Sequence, residues 1–173
     1  MTNPRPKDGL LDTTRLLIGI VRVLAIIGMV LLGGIALVIP ALGPEGLKDV
    51  GQGMTMTHAF TLSFMLLLAV AILVLLFKGL GLLRDIIDTV GAGDPFAPAN
   101  ADRLEKMGWY AASVIPMMVV IVGLAVWLKG VVENIELDAR FDFGVVFLAL
   151  VLFVLARVFR YGAEMRADLD DTV

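Results

Sequence analysis

The sequence predicts an all-α, polytopic membrane protein: a bundle of four transmembrane helices with a cytoplasmic helical hairpin between spans two and three. Three observations predict it. First, 59% of the 173 residues are hydrophobic and the mean hydropathy is +0.93, while 18% are charged, against about 25% in soluble domains. Second, the charges punctuate four apolar runs rather than spreading along the chain. Third, the basic residues divide unevenly between alternate connections. No alternation of apolar and polar residues marks a strand, and no repeat of useful length is present. A soluble globular enzyme is excluded.

The runs without a charge are residues 23–39, 59–77, 109–128 and 143–156. A hydrocarbon core of about 30 Å takes roughly 17–25 helical residues at about 1.5 Å each. The first three runs meet that directly, and the first span is set at about residues 17–39 with Pro40 ending it. The second holds seven Leu, three Phe, two Val and one Ile. At about −0.3 to −0.6 kcal/mol each near mid-membrane, these contribute roughly −4 to −8 kcal/mol together. The fourth run is short, but if Arg157 carries its charged head towards the headgroups the span extends over residues 143–159.

Eleven basic residues precede the first uncharged run, lie between the second and third, or follow the fourth; only Lys48, Lys129 and Arg140 lie in the other two connections. Basic residues accumulate on the cytoplasmic side. Both termini and the segment 78–108 are therefore expected in the cytoplasm, with 160–173 as a cytoplasmic tail. The uncharged run of span one exceeds the usual 7–15 residues of a signal peptide, so it is expected to stay as an anchor, although Ala41-Leu42-Gly43 is a passable cleavage site. Gly28, Gly33 and Gly34 would let a neighbouring helix approach span one closely.

Helical periodicity continues past span two. Leu80, Leu83, Ile87 and Val90 recur at steps of three, four and three, with Arg84, Asp85, Asp88 and Thr89 on the other face, and Gly91 and Gly93 end the pattern. Asp94-Pro95-Phe96-Ala97-Pro98-Ala99-Asn100 reads as a turn. Asn100 is the expected N-cap of the next helix, Asp102 and Lys106 form an i,i+4 pair, and Leu104, Met107 and Ala111 share a face leading into span three. The apolar side of this hairpin either packs on its own partner helix and the headgroup layer, or docks a cytoplasmic partner.

Little else carries chemistry. No Cys is present, so disulfides and thiolate sites are excluded, and a single His removes most zinc and triad schemes. Net charge of −3 argues against gripping nucleic acid directly. Gly91-Ala92-Gly93 follows a helix, whereas a dinucleotide fingerprint follows a strand, and no Walker sequence is present. Glu133, Glu136, Asp138 and Asp142 on the outer side, and Asp168, Asp170 and Asp171 in the tail, lack the loop spacing of a calcium site and read as solvated acidic surface. His58 is a polar boundary residue, and Trp109, Tyr110 and Trp127 are interfacial anchors of span three. Residues 23–39, 59–77, 109–128 and 143–156 carry no charged group, which counts against ion-coupled transport. An inward turn of Arg157 or Arg160 onto Asp85 or Asp88 is the one candidate gate or structural lock.

Gly93-Asp94-Pro95-Phe96, then Asn100-Ala101-Asp102-Arg103-Leu104 and Met107-Gly108-Trp109, together with Phe159-Arg160-Tyr161-Gly162-Ala163-Glu164-Met165-Arg166 and the ending Asp170-Asp171-Thr172-Val173, carry a resemblance. The chain resembles the bacterial domain-of-unknown-function family numbered twenty-nine seventy-five. The resemblance implies four spans, no enzymatic activity, no cofactor and no catalytic residues to carry over. It also implies a neighbouring Cro/repressor-type helix-turn-helix regulator that the membrane protein binds or restrains. The expected partner-binding residues are Asp94, Pro95, Phe96, Asn100, Leu104, Gly162 and Glu164. The competing functions are an oligomeric small channel or transporter subunit and a scaffold of a membrane complex.

Overall fold

The computed structural model describes residues 9–48, 54–129 and 143–170. These form four α-helices and no strand: α1 Gly9–Gly46, α2 Met56–Gly91, α3 Pro98–Leu128 and α4 Gly144–Asp170. All four are long and apolar enough to cross a membrane. At about 1.5 Å per residue, the 38 residues of α1 reach about 57 Å and the 27 of α4 about 40 Å, so each helix outruns a core of about 30 Å. The acidic cluster at Glu133, Glu136, Asp138 and Asp142, the chain before Gly9 and the last residues of the tail lie outside the described residues.

Helix α1 packs on α2, α2 on α3 and α3 on α4; among the described residues α1 does not pack on α4, nor α2 on α4. The four helices thus form an open array and not a closed ring. The residues at the contacts explain how they hold. Ala25, Ala36, Ala59, Ala101, Ala125, Ala149 and Ala156 are among the most buried side chains, whereas Leu24, Leu31, Phe60, Phe147 and Leu150 face outwards. A lipid-facing protein gains nothing from hiding leucine, because the bilayer is as apolar as leucine is. It gains from small residues that bring helix backbones within dispersion range. Gly28 serves in this way, since a Cβ there would meet Leu73 at 3.1 Å; at Gly33 and Gly34 a Cβ would meet nothing within 4 Å.

Two proline positions depart from expectation or refine it. Pro40 does not end α1; the helix runs on to Gly46, with its non-helical residue at Gly43, φ 64° and ψ −176°. Pro44 disfavours the α conformation for the residue before it, and glycine tolerates the positive φ that replaces it. Pro116 lies within α3, which continues to Leu128. At this end of the molecule Leu47, Met54, Ala59 and Leu128 form an apolar cluster. The backbone N–H of Thr55 donates to His58 Nδ1 at 3.0 Å, and the His58 ring lies 5.1 Å from that of Trp127. Thr55 is therefore the N-cap of α2, with His58 at the third helical position accepting its N–H and packing against α3.

At the opposite end α2 continues beyond Lys78 to Gly91, as its periodicity demands. It stops in a Schellman motif: the N–H of Asp94 donates to the Thr89 carbonyl at 3.0 Å and that of Gly93 to the Val90 carbonyl at 2.9 Å. Gly93 takes φ 89°, which a side chain would resist. Helix α3 begins at Pro98, one turn earlier than a cap at Asn100 would set it; Ala97 is the N-cap. Proline's fixed φ and missing N–H suit the first helical position, so Asn100 falls at the third. Helix α4 does not end at the last uncharged residue. It runs through Arg157 to Asp170, so the expected tail is helical over its first eleven residues.

Candidate functional site

The polar end, where the N-terminus of α1, the α2–α3 junction and the C-terminus of α4 meet, holds the side chains singled out from the sequence. Asn100 is its centre. With 0% exposure it is the most enclosed polar residue described. Its Nδ2 donates to Thr89 Oγ1 at 2.8 Å and to the Pro95 carbonyl at 3.0 Å, and its Oδ1 accepts from Arg103 Nη1 at 2.7 Å. One amide thereby ties α2, the turn and α3 together. Around it Ile86, Leu104, Leu152 and Ala156 form an apolar cluster with Met107, Ala111 and Phe159 against it.

Phe96, at the turn, lies over α4. Its ring is 5.5 Å from that of Phe159 and so close to Gly162 that a Cβ there would sit 2.6 Å from Phe96 Cδ1. The same device recurs nearer the membrane, where a Cβ on Gly108 would sit 2.9 Å from Phe153. Glycine at 108 and 162 is needed because an aromatic ring occupies the space a side chain would take.

Ion pairs close the assembly. Arg166 reaches Asp94, Arg160 reaches Glu105 at 2.7 Å and Asp102 at 3.1 Å, and Arg15 reaches Asp88 at 2.8 Å. Hydrogen bonds from its guanidinium to Glu105 and Asp102 raise the Arg160 pKa above the ordinary arginine value, so it is a permanent cation. Two expectations are corrected here. Asp88 is paired by Arg15 of α1 and not by Arg157 or Arg160, and Arg157 instead donates to the Tyr161 hydroxyl at 3.0 Å. Asp102 is held across the interface by Arg160 and not by Lys106. Both follow from α4 packing on α3 and not on α2, which places its arginines beside α3 carboxylates.

Of the seven residues expected to bind a partner, the structure brings five into one intramolecular clasp: Asp94, Pro95 through its carbonyl, Phe96, Asn100 and Gly162. Leu104 is buried beneath them and Glu164 is exposed. Sequence reasoning missed Thr89, Arg103, Phe159 and Arg15. Thr89 had a signal, a hydroxyl one turn before a helix-ending glycine pair, facing back to the turn. Interleaved with the clasp residues, α4 carries Val158, Tyr161 and Met165 at 53%, 51% and 63% exposure. Steps of three and four place these side chains on one stripe, with the Tyr161 hydroxyl accepting from Arg157. Among the described residues no three His, Asp or Glu side chains converge in a way that would hold a metal ion.

An all-helical chain with four membrane-length apolar helices and one polar, clasped end is a multi-pass membrane protein. Its family is shown by the match of a family model to residues 51–173, which takes in α2, α3 and α4. The chain belongs to the family described as "Protein of unknown function (DUF2975)". No curated protein and no solved structure matches it.

Proposed function

We propose that this is a non-enzymatic protein of a bacterial inner membrane whose polar end lies in the cytoplasm and docks a soluble partner, a helix-turn-helix transcription regulator. The eleven-to-three distribution of basic residues supports that orientation. The stripe of Val158, Tyr161 and Met165 carries the docking reading, because it starts at the end of span four and continues through Tyr161 and Met165 along the segment after residue 159, which also carries Arg160, Glu164, Arg166 and Asp168. Its spacing is that of a helix face laid into an apolar groove. The clasp supplies the second requirement. It fixes α4 to the α2–α3 turn, so the stripe is presented on a rigid element and loses little entropy on binding. The expected seven residues act mostly by holding this surface in place, with Glu164 beside Met165 as the direct polar contact.

A photo-crosslinker at Met165 in living cells, followed by mass spectrometry, tests this reading. It predicts recovery of a soluble DNA-binding protein that is lost in a Tyr161→Asp variant. Recovery of lipid or of other membrane subunits alone overturns it.

A further inference from the structure

Helices α2 and α4 flank α3 without packing on each other, and between them lies a gap of about 380 Å³. Its walls are Leu76, Gly79 and Leu83 of α2, Ala111 and Val114 of α3, and Leu148 and Leu152 of α4. The one polar side chain on the gap is Tyr110, whose hydroxyl makes no hydrogen bond among the described residues. Towards the polar end it borders the cluster of Ile86, Leu104, Leu152 and Ala156, sharing Leu152 with it.

We propose that this gap is a phospholipid site, with an acyl chain between α2 and α4 and the headgroup at Lys106. The physical grounds are these. A concave apolar space of this size within a bilayer has acyl chains as its solvent, and leaving it unfilled forfeits dispersion contacts along both walls. Site volumes of this order suit chain-like ligands of drug size or larger. The lining crosses the boundary marked by Lys78, so a chain entering it brings its ester region to the level of the free Tyr110 hydroxyl. Lys106 is one helical turn from Tyr110 towards the polar end, is exposed, and has no carboxylate partner among the described residues. It offers an ammonium to a phosphate where the headgroup would lie, and basic groups between helices at this level suit anionic headgroups. The nearest carboxylates on α3, Asp102 and Glu105, are both engaged by Arg160.

The test uses the full chain purified in mild detergent, with phosphatidylglycerol or phosphatidylethanolamine titrated in and adducts read by native mass spectrometry. Gly79→Leu and Ala111→Phe fill the gap from different helices, while Gly33→Leu adds the same bulk on α1, where a Cβ meets nothing within 4 Å. The wild type and Gly33→Leu are expected to retain a phospholipid, and the filling variants to lose it by at least about tenfold. Lys106→Gln, a surface change that leaves the core alone, is expected to weaken phosphatidylglycerol more than phosphatidylethanolamine. Equal adducts in all variants, or none in the wild type, overturn the site. So does a wild-type dimer that Ala111→Phe dissociates, since a second copy would then be the occupant.

Discussion

Replacing Asn100 by Ala removes the amide that joins α2, the turn and α3. The consequences are unequal across its partners. Thr89 keeps a bond of its own, since its hydroxyl also donates to the Ile86 carbonyl at 2.7 Å. The Pro95 carbonyl loses its side-chain donor, and a polar group left unpaired in an enclosed site costs about 1–3 kcal/mol. Arg103 loses a charge-assisted bond of 2.7 Å and keeps only a long one, 3.4 Å, to the Asp85 carbonyl. That bond is worth about 1.5–3 kcal/mol when dry, and less here because Arg103 is half-buried and water can replace the amide. The sum is about 2–4 kcal/mol, or roughly 4–16 °C in Tm for a chain of this size. Thermal unfolding in detergent, followed by helical circular dichroism, measures it. Asn100→Asp keeps the oxygen that Arg103 uses but loses the donor to Pro95, and is expected to recover about half of the loss. An Ala variant within about 0.5 kcal/mol of wild type would refute the assignment of Asn100 as the keystone.

Gly162→Val should displace Phe96 from α4, and Phe96→Ala in the same chain should relieve most of that cost; a double-mutant cycle that proves additive contradicts the contact. Gly108→Ala, with its Cβ 2.9 Å from Phe153, is expected to cost about 1–3 kcal/mol by thermal unfolding, and Phe153→Leu to offset it. Gly93→Ala forces an L side chain to φ 89° and should cost about 1–3 kcal/mol without changing the helical content. Asp94→Asn breaks a half-exposed ion pair and should change stability by no more than about 1 kcal/mol, a difference that shrinks as salt is raised.

The legible part of this molecule is the part set by local chemistry. Four uncharged runs, the continuation of α2 past Lys78 and the glycine stop at Gly93 are all matters of composition and period, and all are present. The site was half legible. The Pro-Phe-x-x-x-Asn run marked residues that the structure gathers into the clasp, and the fold turns Asn100 and Leu104 inwards. The first turn of α3 explains part of that. Pro98 starts the helix, so Asn100 moves from the cap to a position facing Thr89. The ion pairs were not legible, because whether Arg160 meets Asp88 or Asp102 depends on which helix α4 packs against. Nothing local to the arginine decides that. The role of Gly162 was hidden for the same reason: its requirement comes from Phe96, sixty-six residues earlier.

The account rests on the clasped end facing the cytoplasm, and the absence of any native Cys makes that directly measurable. Single Cys residues placed at Ala99 and Ala167 on the clasped end, and at Thr57 on the other, are labelled with a membrane-impermeant maleimide in intact spheroplasts and again after permeabilisation. The account predicts that Thr57→Cys reacts in intact spheroplasts, while Ala99→Cys and Ala167→Cys react only once the membrane is opened. Labelling of Ala99→Cys and Ala167→Cys in intact spheroplasts would place the clasp outside, and with it remove any soluble cytoplasmic partner from reach.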